Sequence, residues 1–116
     1  MPPINNELNT MTQQELKNLY YFLSNNLGQI AGSMKSQQKQ DFWNYYQTVE
    51  GLHNQALFIG LLPSEEVGKI SEQIKIAKAA AEKMLLNMKG IVTNLNAFKA
   101  AVDLIQAAKD LAGGGN

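Results

Sequence analysis

One pair of residues in this sequence has the type and spacing of a metal-binding or catalytic element. Glu50 and His53 stand three positions apart, so on a helix their side chains share one face. Helical bundles that hold two metal ions use this Glu-x-x-His spacing twice, together with two further carboxylates. The chain contains a single histidine, so one copy cannot complete such a site and only a symmetric dimer could. We therefore expect no cofactor, and Glu50 and His53 remain only candidate metal ligands.

The other residues that carry out catalysis are missing or scattered. The absence of cysteine excludes thiol catalysis, disulfides and cysteine-ligated zinc, and a lone histidine leaves few nucleophile–base pairs. Glu65 and Glu66 are adjacent acids of the kind that begin a helix. Gly28 and Gly32 follow no strand and therefore form no phosphate-binding loop. The sequence predicts that the protein is not an enzyme.

The charge balance narrows the choice of partner. The ten basic residues are all lysine, ten acids balance them, and the formal net charge is zero. Because the chain has no excess of basic residues and no arginine to hydrogen-bond phosphate or guanine, nucleic-acid binding is not expected. Hydrophobic residues make up 45% of the chain, which indicates a folded domain rather than a disordered one.

The aromatic residues give the clearest indication of a binding surface. Eight of the nine aromatic residues precede Pro63. Tyr21, Phe22, Trp43 and Phe58 lie off the apolar stripes, among amides and other polar side chains, and large rings on such faces often mark contact surfaces. We predict these four as partner-binding residues. The alternative is that they lean over the edge of the fold and are half-buried within the monomer.

Helical periodicity predicts the elements that position these residues. Proline occurs only at positions 2, 3 and 63, and no segment alternates with the two-residue period of a strand. A capping box at Thr12 and Glu15 predicts the start of the first helix, and Pro63 predicts that the second ends near Leu62. The apolar stripes are Leu16, Tyr20, Leu23, Leu27, Ile30 and Met34; Phe42, Tyr45, Val49, Leu52, Ala56 and Ile59; and Val67, Ile70, Ile74, Ala77, Ala81, Met84 and Met88, continuing in phase through Ile91, Leu95, Phe98, Val102 and Ile105.

The continuous third stripe leaves two architectures open. A break between Lys89 and Thr93, with Gly90 past the helix end, gives an all-α, up-down bundle of four antiparallel helices of similar length. The alternative is a helical hairpin packed on one long C-terminal helix of about 45 residues, roughly 70 Å at 1.5 Å per residue. Equal helix lengths favour the four-helix bundle.

Neighbouring antiparallel helices would bring particular side chains together. If the chain turns back at Pro63, Tyr45 faces Ala81 and Val49 faces Ala77, which sets large residues against small ones. A turn near Gln37 brings His53 beside Tyr20 and Tyr21.

The sequence divides into an N-terminal arm at 1–11, expected to be flexible, one helical-bundle domain at 12–111, and a flexible glycine-rich tail at 112–116. The first residues lack the features of a signal peptide, and the longest apolar run is far shorter than the roughly 20 residues that span a bilayer. A cytoplasmic location is the default expectation.

These observations together predict a non-enzymatic helical interaction or assembly module. It would act through homo-oligomerisation or by binding a partner helix. One alternative is a helical domain that associates with membranes, which the neutral charge does not favour. A further alternative is a bundle that binds a small ligand or a metal around His53.

Overall fold

The computed structural model describes residues 6–32, 34–86 and 90–114, and these residues form an all-α bundle, as the sequence predicts. No strand occurs among them. The elements are α1 Asn6–Ala31, α2 Ser36–Asn54, a 3₁₀ helix Ala56–Leu61, α3 Ser64–Leu85 and α4 Ile91–Gly114. The four α-helices have 26, 19, 22 and 24 residues, which agrees with the predicted similar lengths.

Gly90 separates α3 from α4. Its φ of +85° lies in the left-handed region, which glycine adopts without steric cost and which no α-helix contains. The alternative with one long C-terminal helix is therefore wrong, and the predicted break between α3 and α4 is confirmed. Met88, a member of the predicted third stripe, lies outside the described residues.

The four helices run alternately up and down, but sequence neighbours are not always neighbours in space. α1 packs on α2 and α3, and α4 packs on α3 and α2, so α2 and α3 lie diagonally across the bundle. α1 runs antiparallel to α2, because Tyr20 lies beside His53 while the later Ser24 pairs with the earlier Tyr46. It runs parallel to α3, because Glu15 bonds to Ser71 and the later Phe22 lies beside the later Lys78.

The predicted packing of Tyr45 on Ala81 and of Val49 on Ala77 is therefore wrong. Tyr45 instead donates a hydrogen bond to Asp103 of α4, at 3.2 Å. The physical reason is the connection from α2 to α3, which is no tight turn at Pro63. It is a 3₁₀ helix packed on α1 and α4, followed by extended backbone at Leu62 and Pro63. This longer connection carries the chain across the end of the bundle.

The predicted stripes form most of the core, together with residues outside them such as Leu19, Phe58 and Ala101. Every described member of the long third stripe is buried except Ile91, which is half-buried against the core. The largest fully buried side chains are Phe42, Phe98, Leu16, Leu19, Leu23, Ile30, Leu52, Ile59, Ile74, Met84, Ile105 and Val49. Burial of such side chains is worth about 1.5–3 kcal/mol each and is the main force that holds the bundle together.

Two helix ends differ from the sequence expectation. α1 begins at Asn6, so the predicted start of the first helix at Thr12 is wrong. Thr12 lies within the helix, fully buried, and its hydroxyl has no hydrogen-bond partner. Leu8 packs against the core and extends the helix upstream of the capping signal. α4 likewise continues to Gly114, whereas 1–5 of the expected arm and 115–116 of the expected tail lie outside the described residues.

A polar pair and an aromatic pair join α2 to α4. Asp41 and Lys99 form an ion pair at 3.2 Å, and this bond holds the pKa of the Asp41 carboxyl below its ordinary value. The rings of Phe42 and Phe98 pack beneath it, with their centroids 5.7 Å apart. The register of α2 on α4 is thus fixed by both a buried and a half-buried contact.

The conformation of Gly90 predicts a measurable cost of adding a side chain. Gly90→Ala should lower the free energy of unfolding by about 1–2 kcal/mol, because a Cβ destabilises left-handed backbone. Gly68→Ala is the matched control: Gly68 lies within α3 and a Cβ there would meet nothing within 4 Å. This control should raise stability by about 0.5–1 kcal/mol. Urea unfolding followed by circular dichroism measures both, and equal signs for the two substitutions would contradict the prediction.

Candidate interaction surface

Five rings form a continuous series along the groove between α1 and α2. Trp43 contacts Tyr46, with centroids 5.5 Å apart, and Tyr46 stacks on Tyr20 at 5.8 Å. Tyr20 stacks on His53 at 4.7 Å, and Tyr21 contacts both Tyr20 at 5.6 Å and His53 at 5.8 Å. We call Trp43, Tyr46, Tyr20, His53 and Tyr21 the aromatic seam.

Helix geometry explains why these rings meet. Tyr46 and His53 are seven residues apart, so they stand two turns apart on the side of α2 that faces α1. The Tyr20 ring enters the space between them and lies at 16° to both rings. Stacked and tilted aromatic pairs at such separations stabilise a fold by about 0.5–1.5 kcal/mol beyond their area. The sequence expectation that His53 lies beside Tyr20 and Tyr21 is confirmed.

Hydrogen bonds fix the seam from the polar side. The Tyr20 hydroxyl donates to Glu50 Oε2 at 3.2 Å, and the hydroxyls of Ser24 and Tyr46 lie 2.8 Å apart. The Tyr46 hydroxyl is the largest influence that raises the pKa of the Tyr20 phenol above its ordinary value, and Glu50 acts in the same direction. Each seam tyrosine on the inner side is thus held by both stacking and a hydrogen bond.

The two ends of the seam are open to solvent. Trp43 is 44% exposed and Tyr21 is 46% exposed, whereas Tyr46 between them is buried. Near Tyr21, a groove of about 250 Å³ runs past His53 and Ala56 on one side and Gln13 and Lys17 on the other. The Lys17 ammonium lies 5.8 Å from the Tyr21 ring centre, a cation–π contact.

Two of the four residues predicted to bind partners lie away from the seam. Phe22 is half-buried on the α3 side of α1, where Lys78 Nζ lies 5.9 Å from its ring. Phe58 is only 7% exposed and belongs to the core, so its prediction as a surface residue is wrong. The cause is local: the chain leaves α-helical geometry after Asn54, and the tighter 3₁₀ helix turns Phe58 inward.

Tyr20 lies between the two candidate metal ligands. Its hydroxyl bonds to Glu50 while its ring stacks on His53, so it takes up the space next to both side chains. Within residues 6–32, 34–86 and 90–114, no three His, Asp or Glu side chains are grouped so that they could hold a metal ion. In the same residues, no helix is both long enough and apolar enough to span a membrane.

Sequence reasoning missed Tyr46 as the link between Trp43 and Tyr20. The residue spacing indicates this position, because Tyr46 flanks the second stripe three residues after Trp43 and seven before His53. Those spacings place all three on neighbouring turns of one helix side.

The raised pKa of Tyr20 predicts a loss of stability at alkaline pH. The phenol ionises at lower pH in the unfolded chain than in the folded one. Its contribution is therefore complete below the ordinary value of 10.0 and is lost as the pH rises through the folded pKa. The free energy of unfolding should fall more steeply above pH 10.0 in the wild type than in Tyr20→Phe. Urea titrations at a series of pH values measure this, and parallel pH profiles would contradict it.

Comparison of the whole chain with protein-family models, with curated proteins and with solved structures finds no match. The seam geometry and the surrounding chemistry are therefore the basis for a functional proposal.

Proposed function

We propose that this protein is a non-enzymatic helical interaction module that binds an amphipathic helix of a partner protein along the aromatic seam. The observation that carries the proposal is the pair of half-exposed rings, Trp43 and Tyr21, at the two ends of a stacked and hydrogen-bonded series. Trp and Tyr are the side chains that most often dominate the energy of protein interfaces.

The rigidity of the seam favours binding. Ordering a side chain on association costs about 0.5–1.5 kcal/mol, but Tyr20 and Tyr46 are already held by Glu50 and Ser24. When a partner covers Trp43 and Tyr21, the adjacent rings of Tyr20 and Tyr46 are already ordered, so little free energy is lost in ordering them. Preorganisation of this kind raises affinity without any new contact.

The chemistry around the seam indicates the kind of partner. Its exposed neighbours on α2 include the amides Gln47 and Asn54, which pair with donors and acceptors alike, and one cation, Lys39. The groove between two antiparallel helices accepts a third helix through its apolar face, and the space beside His53 would receive one of its side chains. A partner helix with apolar residues at helical spacing and few charges fits this surface best.

The test uses helical peptides selected from a display library against the wild-type chain. Trp43→Ala and Tyr21→Ala should each lower the affinity of the chain for the selected peptides by about thirtyfold. This is the effect of losing roughly 2 kcal/mol at an interface hot spot. Trp43 is the only tryptophan, so its fluorescence emission should also shift to shorter wavelength on binding.

The matched control is Leu57→Ala with Leu61→Ala. These leucines are 79% and 72% exposed, more than either seam ring, but they lie on the 3₁₀ helix. The control should keep wild-type affinity. Peptides that bind the Trp43 and Tyr21 variants as tightly as the wild type, or that depend on Leu57 and Leu61, would refute the proposal.

A further inference from the structure

The groove beside His53 is lined on its α1 side by polar residues at helical spacing. These residues share one face of the helix and are Thr10, Gln13, Gln14 and Lys17. The opposite wall consists of His53, near the end of α2, and Ala56, at the start of the 3₁₀ helix. The groove of about 250 Å³ therefore has polar walls and lies next to Tyr21, one exposed end of the aromatic seam.

Lys17 gives this groove a positive charge. Its ammonium has N–H donors and no acceptor, and it lies 5.8 Å from the centre of the Tyr21 ring. Within the described ranges 6–32, 34–86 and 90–114, no acid forms an ion pair with Lys17. Its charge is therefore available to a bound partner.

Two acids stand close to the groove without lining it. Glu50 precedes His53 by one turn of α2, and its carboxylate accepts a hydrogen bond from the Tyr20 hydroxyl at 3.2 Å. Glu7 precedes Thr10 by one turn of α1 and lines a different groove. The side chains that form the walls are thus one cation and several neutral groups, with no acid among them.

His53 adds a second donor to the groove. Its Nδ1 is buried without a hydrogen-bond partner, so only Nε2 can meet a side chain that enters the groove. With its proton on Nε2, the imidazole donates a hydrogen bond. The rings of Tyr20 and Tyr21, with centroids 4.7 Å and 5.8 Å from that of His53, hold the imidazole in place.

We propose that this groove binds the carboxylate of an aspartate or glutamate on the partner helix, an inference that rests on the proposed function of the seam. A carboxylate accepts hydrogen bonds from both Lys17 and His53, and charge-assisted bonds are about twice as strong as neutral ones. A cationic side chain would meet Lys17 with like charge, and an apolar one would displace water from the donors without replacing its hydrogen bonds. The partner is therefore an amphipathic helix with one acid at the edge of its apolar face.

The test uses the helical peptides selected on the wild-type chain, with each acidic residue replaced in turn by its amide. One such replacement should lower the affinity for the wild type about tenfold. The same replacement should lower the affinity for Lys17→Gln no more than about twofold, because this variant has lost the charge that the carboxylate meets. Rising ionic strength should weaken binding of the acidic peptides to the wild type more than to Lys17→Gln.

Lys83→Gln is the matched control, since it removes the same charge from an exposed position on α3, away from the groove between α1 and α2. It should keep both the wild-type affinity and the tenfold effect of the amide replacement. Circular dichroism checks that both variants keep the helical fold, which is expected because Lys17 and Lys83 are exposed. Selected peptides that contain no acid, or a carboxylate effect equal in the wild type and in Lys17→Gln, would overturn the proposal.

The outcomes also separate this proposal from that of the seam. Peptides that depend on Trp43 but not on Lys17 would leave the seam proposal standing and overturn this one. Peptides that depend on Lys17 and on their own carboxylate, but not on Trp43, would support the groove and refute the seam. A library that yields no helical peptide would overturn both.

Discussion

Replacement of Phe98 with alanine should lower the free energy of unfolding by about 3–5 kcal/mol, the cost of emptying a buried aromatic site. Phe98 is fully buried on α4, and its ring packs at 5.7 Å from Phe42 of α2. The cavity would open where the core contact of α2 and α4 lies directly beneath the Asp41–Lys99 ion pair. For a domain whose total stability is typically 5–15 kcal/mol, this loss is a large fraction.

Urea unfolding measures this loss, and Leu86→Ala is the control. Leu86 is 70% exposed at the end of α3, so its truncation should change stability by no more than about 0.5 kcal/mol. Phe98→Leu, which refills part of the cavity, should recover part of the loss. A Phe98→Ala variant as stable as the Leu86→Ala variant would contradict the packing of α4 on α2.

Periodicity predicts most of this fold because the core is built from long, regular stripes. Val67, Ile74 and Ala81 recur at seven-residue spacing, and all three are buried. The break at Gly90 was also predictable, since glycine is the residue that adopts left-handed backbone at a helix end. The four α-helices and most of their inward faces follow from local properties of the sequence, whereas the 3₁₀ helix Ala56–Leu61 does not.

The pairing of helices in space is less accessible to such reasoning. Tyr45 and Ala81 have complementary sizes, but the 3₁₀ helix places α2 diagonally from α3. Tyr45 therefore donates its hydrogen bond to Asp103 of α4 instead. The start of α1 was missed for a related reason: the capping signal at Thr12 is local, whereas packing of Leu8 on the core is a tertiary effect. Tertiary packing overrode the local signal in both places.

The aromatic surface was predicted in part. Tyr21 and Trp43 are each about half-exposed, which fits both the predicted contact surface and the alternative of rings half-buried at the edge of the fold. Tyr20 lies beside His53 as the helix register requires. Phe22 was expected on the same surface but lies on the other side of α1, under Lys78. The sequence shows which rings stand on polar faces, and only the assembled bundle shows which of those faces join.

Replacement of Phe58 with alanine should cost about 3–5 kcal/mol of unfolding free energy, although the sequence pattern places Phe58 on the surface. Phe58 is 7% exposed, and its 3₁₀ helix packs on both α1 and α4. Had the second α-helix continued to Leu62, Phe58 would face solvent among polar residues and its truncation would cost no more than about 0.5 kcal/mol. The size of the effect therefore distinguishes the two conformations of this segment.

The neighbouring Leu57 supplies the matched control for Phe58. It is 79% exposed, and Leu57→Ala should leave stability within about 0.5 kcal/mol of the wild type in urea unfolding. A large loss for Phe58→Ala with none for Leu57→Ala would locate the change from α-helix to 3₁₀ helix before Phe58. The reverse order would mean that the α-helix continues, and the diagonal placement of α2 and α3 would then lose its physical basis. The orientation of Phe58 thus distinguishes a 3₁₀ helix from a continued α-helix in the segment that connects α2 to α3.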